Sequence, residues 1–75
     1  MTTPNWLKCY DFPFEMRAGT VALIDDELVE VEKSLWLNPS CTAVVHHSYN
    51  DPTSKSKTTY IESTKLVRTY LLTEF

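Results

Sequence analysis

The stretch Val21-Ala22-Leu23-Ile24-Asp25-Asp26-Glu27-Leu28-Val29-Glu30-Val31-Glu32 decides how this chain folds. Val21 and Leu23 share one side of an extended run. From Leu28 onward, Val29 and Val31 alternate with Glu30 and Glu32. A period of two sends successive side chains to opposite faces of a strand, so the valines reach a core while the glutamates meet water. Between the two runs stand consecutive aspartates, which tolerate positive φ better than most residues. Asp25 and Asp26 therefore suit a tight hairpin turn.

Toward the C-terminus the strand tendency runs on through Leu35 and Leu37. Asn38-Pro39-Ser40 breaks it, because proline cannot donate to a ladder. Thr42 to Tyr49 is rich in β-branched and aromatic residues and reads as a strand. The polar run from Asn50 to Lys57 reads as a solvated tip, and Thr58 to Ser63 as the returning strand. The last segment fits two periods. Leu66, Val67, Tyr70 and Leu71 share a side of a helix, whereas Leu66, Tyr70 and Leu72 share a side of a strand. The strand is the preferred reading and a short C-terminal helix the alternative. Toward the N-terminus, Trp6 to Tyr10 reads as an edge strand, and Phe12-Pro13-Phe14 turns the chain and supplies apolar bulk. Five or six short antiparallel strands make the chain all-β. A flat sheet would expose an apolar face and two edges, so a small SH3-like barrel is expected.

Seventy-five residues bound the chain to one domain, residues 1–75, with a thin core. A core of that size supplies about 3–5 kcal/mol net, which argues against a roomy enclosed active site. Seven basic residues face ten acidic ones, for a net charge of −3. Nucleic-acid binders need several lysines or arginines to displace counterions from phosphate, so nucleic acid and anionic membrane are disfavoured as partners. No apolar run reaches the ~18 residues of a membrane span, and Met1 to Lys8 lacks the basic start and apolar stretch of a signal peptide. A cytoplasmic location is expected. Cys9 and Cys41 lack metal-knuckle spacing and read as reduced, half-buried small hydrophobes.

Residues 17 to 67 carry a family resemblance. Arg17-Ala18-Gly19-Thr20-Val21 and Asp26-Glu27-Leu28-Val29 resemble the start of the N-terminal domain of elongation factor P. Asn38-Pro39-Ser40 stands at that family's proline-containing loop. Ala43-Val44-Val45 and Ser63-Thr64-Lys65-Leu66-Val67 stand at its third strand and closing turn. The resemblance implies an SH3-like barrel of the KOW type. The family presents a basic residue from the loop after its proline, where this chain has Ser40-Cys41-Thr42, so fold carries over and translation-factor activity does not.

Candidate chemistry is sparse. Cys41 and His47 are about 20 Å apart along one strand, too far for a nucleophile and its base. His46 and His47 are adjacent and face opposite ways, so they cannot share a metal. A hairpin centred on residues 50–57 would put His46 near Glu62, a carboxylate that would raise its pKa. The acidic run Asp25, Asp26, Glu27, Glu30 and Glu32 lacks the glycine and spacing of a calcium loop. It reads as a wet strand face or as a surface for a basic partner. Residues 1–37 hold seven acids and three bases, and residues 38–75 hold three acids and four bases. Copies of the chain could therefore pair head to tail. Trp36 has the opposite parity to Leu35 and Leu37, so with those two inside it is exposed, as contact anchors are. A bulge before Pro39 would instead turn it into the core. Tyr49, Tyr60 and Tyr70 are further candidates for accessible aromatic contacts.

These readings combine into a non-enzymatic β-barrel that binds another protein, with Trp36 and the acidic hairpin as its face and with homo-oligomers expected. No cofactor or metal is implied. Size and acidity suit an accessory or inhibitor protein of a phage or mobile element. Two alternatives stand beside it. One is a nucleic-acid-binding barrel using Tyr49, Tyr60, Lys55 and Lys57. The other is a small-molecule binder with its site between subunits.

Overall fold

The structure, a computed structural model, describes residues 5–73. Six strands, β1 (Asn5–Asp11), β2 (Val21–Ile24), β3 (Glu27–Asn38), β4 (Cys41–Ser48), β5 (Lys57–Ile61) and β6 (Val67–Thr73), form one sheet. A single 3-10 turn at Pro13–Glu15 is the only helical element among the described residues. The last segment is thus a strand. Every neighbouring pair is antiparallel, in the order β1-β6-β2-β3-β4-β5. Strands β2 to β5 follow one another as a meander, and β6 returns to lie beside β2. Strands β1 and β5 are the two edges, so the sheet is open.

The β2–β3 hairpin forms as its sequence demands. Ile24 pairs with Glu27, leaving Asp25 and Asp26 as a two-residue turn with φ of 51° and 62°. Positive φ at both positions is the turn geometry whose twist matches the flanking strands. At the far end, Asn38 pairs with Cys41 around Pro39 and Ser40. The Asn38 side-chain oxygen accepts from the Ser40 N–H at 2.8 Å.

The core lies on one face of the curled sheet, where Met16, Ala22, Ile24, Val29, Val31, Val44 and Val67 cluster and Ile61 packs against them. Burial of these apolar groups is the main force holding the sheet in its curl. The 3-10 turn covers one end of the cluster. Pro13 is buried, and the Ser34 hydroxyl donates to the Met16 carbonyl at 2.9 Å.

The period of two breaks twice inside β3, at Glu32 and again at Leu37, which is skipped between the pairs Trp36 with Thr42 and Asn38 with Cys41. Val31 pairs with His46 and Lys33 with Val45, so Glu32 is an extra residue. Such a bulge bends the strand and inverts its parity downstream. Beyond it, Ser34 and Trp36 take the face of the core residue Val44, while Lys33 and Leu35 take the opposite face with Val45 and Ala43. The parity read from the sequence, with Leu35 and Leu37 inside and Trp36 outside, is therefore corrected. Leu35, Trp36 and Leu37 are nonetheless all exposed, at 48%, 57% and 51%. The β3–β4 arm has run past the end of the core. The molecule is long, with extents of 43 × 25 × 19 Å.

Candidate functional site

The acidic run does not form one face. Asp25, Asp26 and Glu27 sit at the β2–β3 turn, one end of β3, whereas Trp36 stands nine residues beyond Glu27. At ~3.3 Å per residue the two ends of that strand lie roughly 30 Å apart. Glu30 and Glu32 fall between them and gather a polar cluster of their own. His47 Nδ1 donates to Glu32 at 3.1 Å, and its Nε2 lies 3.8 Å from Glu30. The Ser56 hydroxyl, from the β4–β5 loop, donates to the same Glu32 oxygen. The Ser56 hydrogen bond first, and the His47 hydrogen bond second, lower the Glu32 pKa below its ordinary value of 4.5. The cluster ties the loop to the bulge. Among the described residues no group of three or more histidine, cysteine or carboxylate side chains has the geometry to hold a metal ion.

His46 is corrected in both position and sign. It stands opposite Val31 and Lys57, not beside Glu62. Its ring is only 5% exposed, its Nε2 is hydrogen-bonded to the Thr59 hydroxyl at 2.8 Å, and its Nδ1 has no partner. Burial penalises the imidazolium and pushes the His46 pKa below the ordinary 6.5. The carboxylates of Glu27, Asp25 and Glu32 oppose that shift, and Lys57 reinforces it. The neutral ring is part of the core lining. Cys9 and Cys41 are free and half-buried.

Two apolar surfaces remain as places for contact. The first is the arm. Leu35 shares its outward face with Ala43 and, across β4, with Tyr60, which is 67% exposed. Trp36 stands on the other face of the same arm, opposite Thr42. Below it, a chain of hydroxyls fixes the arm to the β5–β6 turn. The Ser63 hydroxyl donates to the Asn38 carbonyl at 3.0 Å and so accepts from the Thr42 hydroxyl at 2.8 Å. The arm is thus held in place, yet both of its faces present large apolar groups to water.

The second surface is a cleft on the sheet face opposite the core. Strands β2 and β6 share only two residue pairs, Val21 with Tyr70 and Ala22 with Thr69, and the β1–β6 pair runs on past the start of β2 at Val21. Trp6 on β1 meets Tyr49, just after β4, edge to face. The ring centroids are 5.8 Å apart and the planes 84° from parallel. Trp6, Val21, Leu28 and Tyr70 line an apolar pocket of about 230 Å³. A larger groove of about 610 Å³ joins this wall to Tyr49, Glu30 and the Gly19-Thr20 backbone. Tyr49, one of the aromatics the sequence singled out, belongs here, about 20 Å along β4 from the level of Tyr60. Trp6 was not singled out, because its run showed only an edge strand. Its alternation with Leu7 places it on the face of Tyr70, but nothing local shows that the strand brings it to Tyr49.

The chain has no match among protein-family models, curated proteins or solved structures. No helix among the described residues is long and apolar enough to cross a membrane.

Proposed function

We propose that this chain is a non-enzymatic module that works by contacting another protein, on an SH3-like barrel frame. The meander of β2 to β5 with β6 returned beside β2 supports that frame, as does the resemblance to the first domain of elongation factor P, which enters for its fold alone. The reading rests on one observation: Leu35, Trp36 and Leu37 are consecutive, large and all about half exposed on an arm fixed by its own hydrogen bonds. Leaving three such groups in water forfeits burial worth about 1.5–3 kcal/mol each. A rigid projecting aromatic flanked by leucines is the form that interface anchors take. The net charge of −3 and the Glu30–Glu32 cluster favour a partner with a basic surface.

Affinity enrichment from an extract of the source organism, run side by side with the wild-type chain and the Trp36→Ala variant, tests the reading. A partner retained by the first and lost by the second is the expected result. Identical captures by both chains would overturn it. Sedimentation over a range of concentrations reads self-association through the same arm. A homo-oligomer that dissociates in the Trp36→Ala variant makes the second copy the partner.

A further inference from the structure

We infer that the cleft beneath Trp6 takes a lysine or arginine side chain of a partner protein. The inference rests on the protein-contact reading above and names the chemistry of a second point of contact. Trp6, Tyr49 and Tyr70 reach this place from β1, from the end of β4 and from β6, and each is half-buried. Trp6 and Tyr49 set their planes nearly at right angles, 84° apart, which makes two walls of a corner. Aromatic faces carry negative potential, and tryptophan offers a cation the best of them. Val21 and Leu28 supply an apolar floor for the methylene stem behind the charge.

Electrostatics select the occupant. Glu30 stands on this face and lines the groove, and no lysine or arginine does. The His47 ring lies 3.8 Å from Glu30, beyond hydrogen-bonding distance, and already donates to Glu32. Lys8 pairs with Tyr70 in the β1–β6 register but is exposed and outside the lining. Size selects further. The apolar pocket of about 230 Å³ has room for a single side chain, and the groove of about 610 Å³ beside it leaves room for the neighbouring residues of a peptide.

Nuclear magnetic resonance on the full chain tests this. Pentapeptides with lysine, trimethyl-lysine or arginine between glycines are titrated against the protein, with norleucine and citrulline peptides as uncharged counterparts. The resonances read are the Trp6 indole N–H and the rings of Tyr49 and Tyr70, with the Trp36 indole as an internal control. The expected result is a saturable shift at Trp6, Tyr49 and Tyr70 with the cationic peptides, at least about fivefold tighter than with the uncharged ones. Glu30→Gln should weaken the cationic peptides alone, and Trp6→Leu should abolish the response. Because Glu30→Gln is nearly isosteric and half exposed, it keeps the test informative if Trp6→Leu does not fold. Equal shifts with the uncharged peptides, or none with any, overturn the inference. Shifts that grow with protein concentration in the absence of peptide place a second copy in the cleft, and they overturn its assignment to a separate partner. None of these failures touches the arm, whose role is judged by Trp36→Ala.

Discussion

At the scale of single residues, His46 carries the clearest consequence for solution behaviour. Its folded pKa lies below 6.5 because burial disfavours the charged ring. The unfolded chain therefore takes up a proton more readily than the folded one, so acid favours unfolding. The contribution is fully present above the unfolded value and is lost as pH falls from about 6.5 through the folded pKa. Glu32 acts in the same direction but lower on the scale. Its depressed pKa stabilises the fold above 4.5, and that stabilisation fades as pH falls through the folded value. Urea midpoints measured from pH 7.5 down to pH 5 should fall in the wild-type chain. His46→Gln should flatten the slope across that window. A wild-type midpoint that rises on acidification would falsify the buried-neutral assignment. The sequence showed the polarity of His46 but misjudged its surroundings, because the neighbour across a hairpin depends on where the β4–β5 loop closes. Ser54, donating to nothing the sequence marks but accepting from the Ser48 N–H at 3.1 Å, is one of the contacts that sets that closure.

At the scale of elements, the turns were legible and the bulge was not. Asp25 and Asp26 announce a two-residue turn through residue type alone, and both adopt the positive φ that the turn requires. A β-branched side chain has no comfortable place there. Asp26→Val should cost about 1–2 kcal/mol, whereas Asp26→Gly should be neutral or stabilising, read from urea midpoints at fixed pH. The bulge at Glu32 comes instead from β4. Val31 and Lys33 keep their partners His46 and Val45 only if the residue between them is left out. No local pattern announces such an omission, and the parity read from Lys33 to Trp36 inverts. Trp36 is exposed all the same, because the arm outruns the core. The hydroxyl chain that steadies this arm was equally silent in the sequence, since Thr42 and Ser63 look like ordinary strand and turn residues. Both are buried, at 0% and 3% exposure. Ser63→Ala should leave the Thr42 hydroxyl and the Asn38 carbonyl short of a partner and cost about 1–3 kcal/mol. Weakened hydrogen-exchange protection confined to the β3–β4 arm is the accompanying signature.

At the scale of the whole molecule, size separates inside from outside. The buried apolar residues are mostly small: Val21, Ala22, Val29, Val31, Ala43, Val44 and Val67, with Met16 and Ile24 the largest. The large ones, among them Leu7, Leu35, Trp36, Leu37, Tyr60 and Leu71, stand in water. A chain this short curls around a narrow centre, and the bulkier apolar groups extend past it on the β3–β4 arm and on the part of the β1–β6 pair beyond β2. The alternation of valine with glutamate made the inner set legible. The outer set was ambiguous, because a leucine reads as core until the end of the core is known. This division yields two opposite mutational phenotypes. Val31 is fully buried, so Val31→Ala loses its methyl groups and leaves a void. The cost is roughly 2 kcal/mol, a large share of the ~3–5 kcal/mol available to a domain of this length. A substantial unfolded population in the absence of denaturant is expected, visible as lost dispersion in amide spectra. Trp36→Ser removes a far larger side chain from a place that holds little of the fold together. It should move the urea midpoint by less than about 0.5 kcal/mol of stability while abolishing capture of the partner. If Trp36→Ser unfolds the chain as Val31→Ala does, the arm belongs to the core and the contact surface must be sought elsewhere.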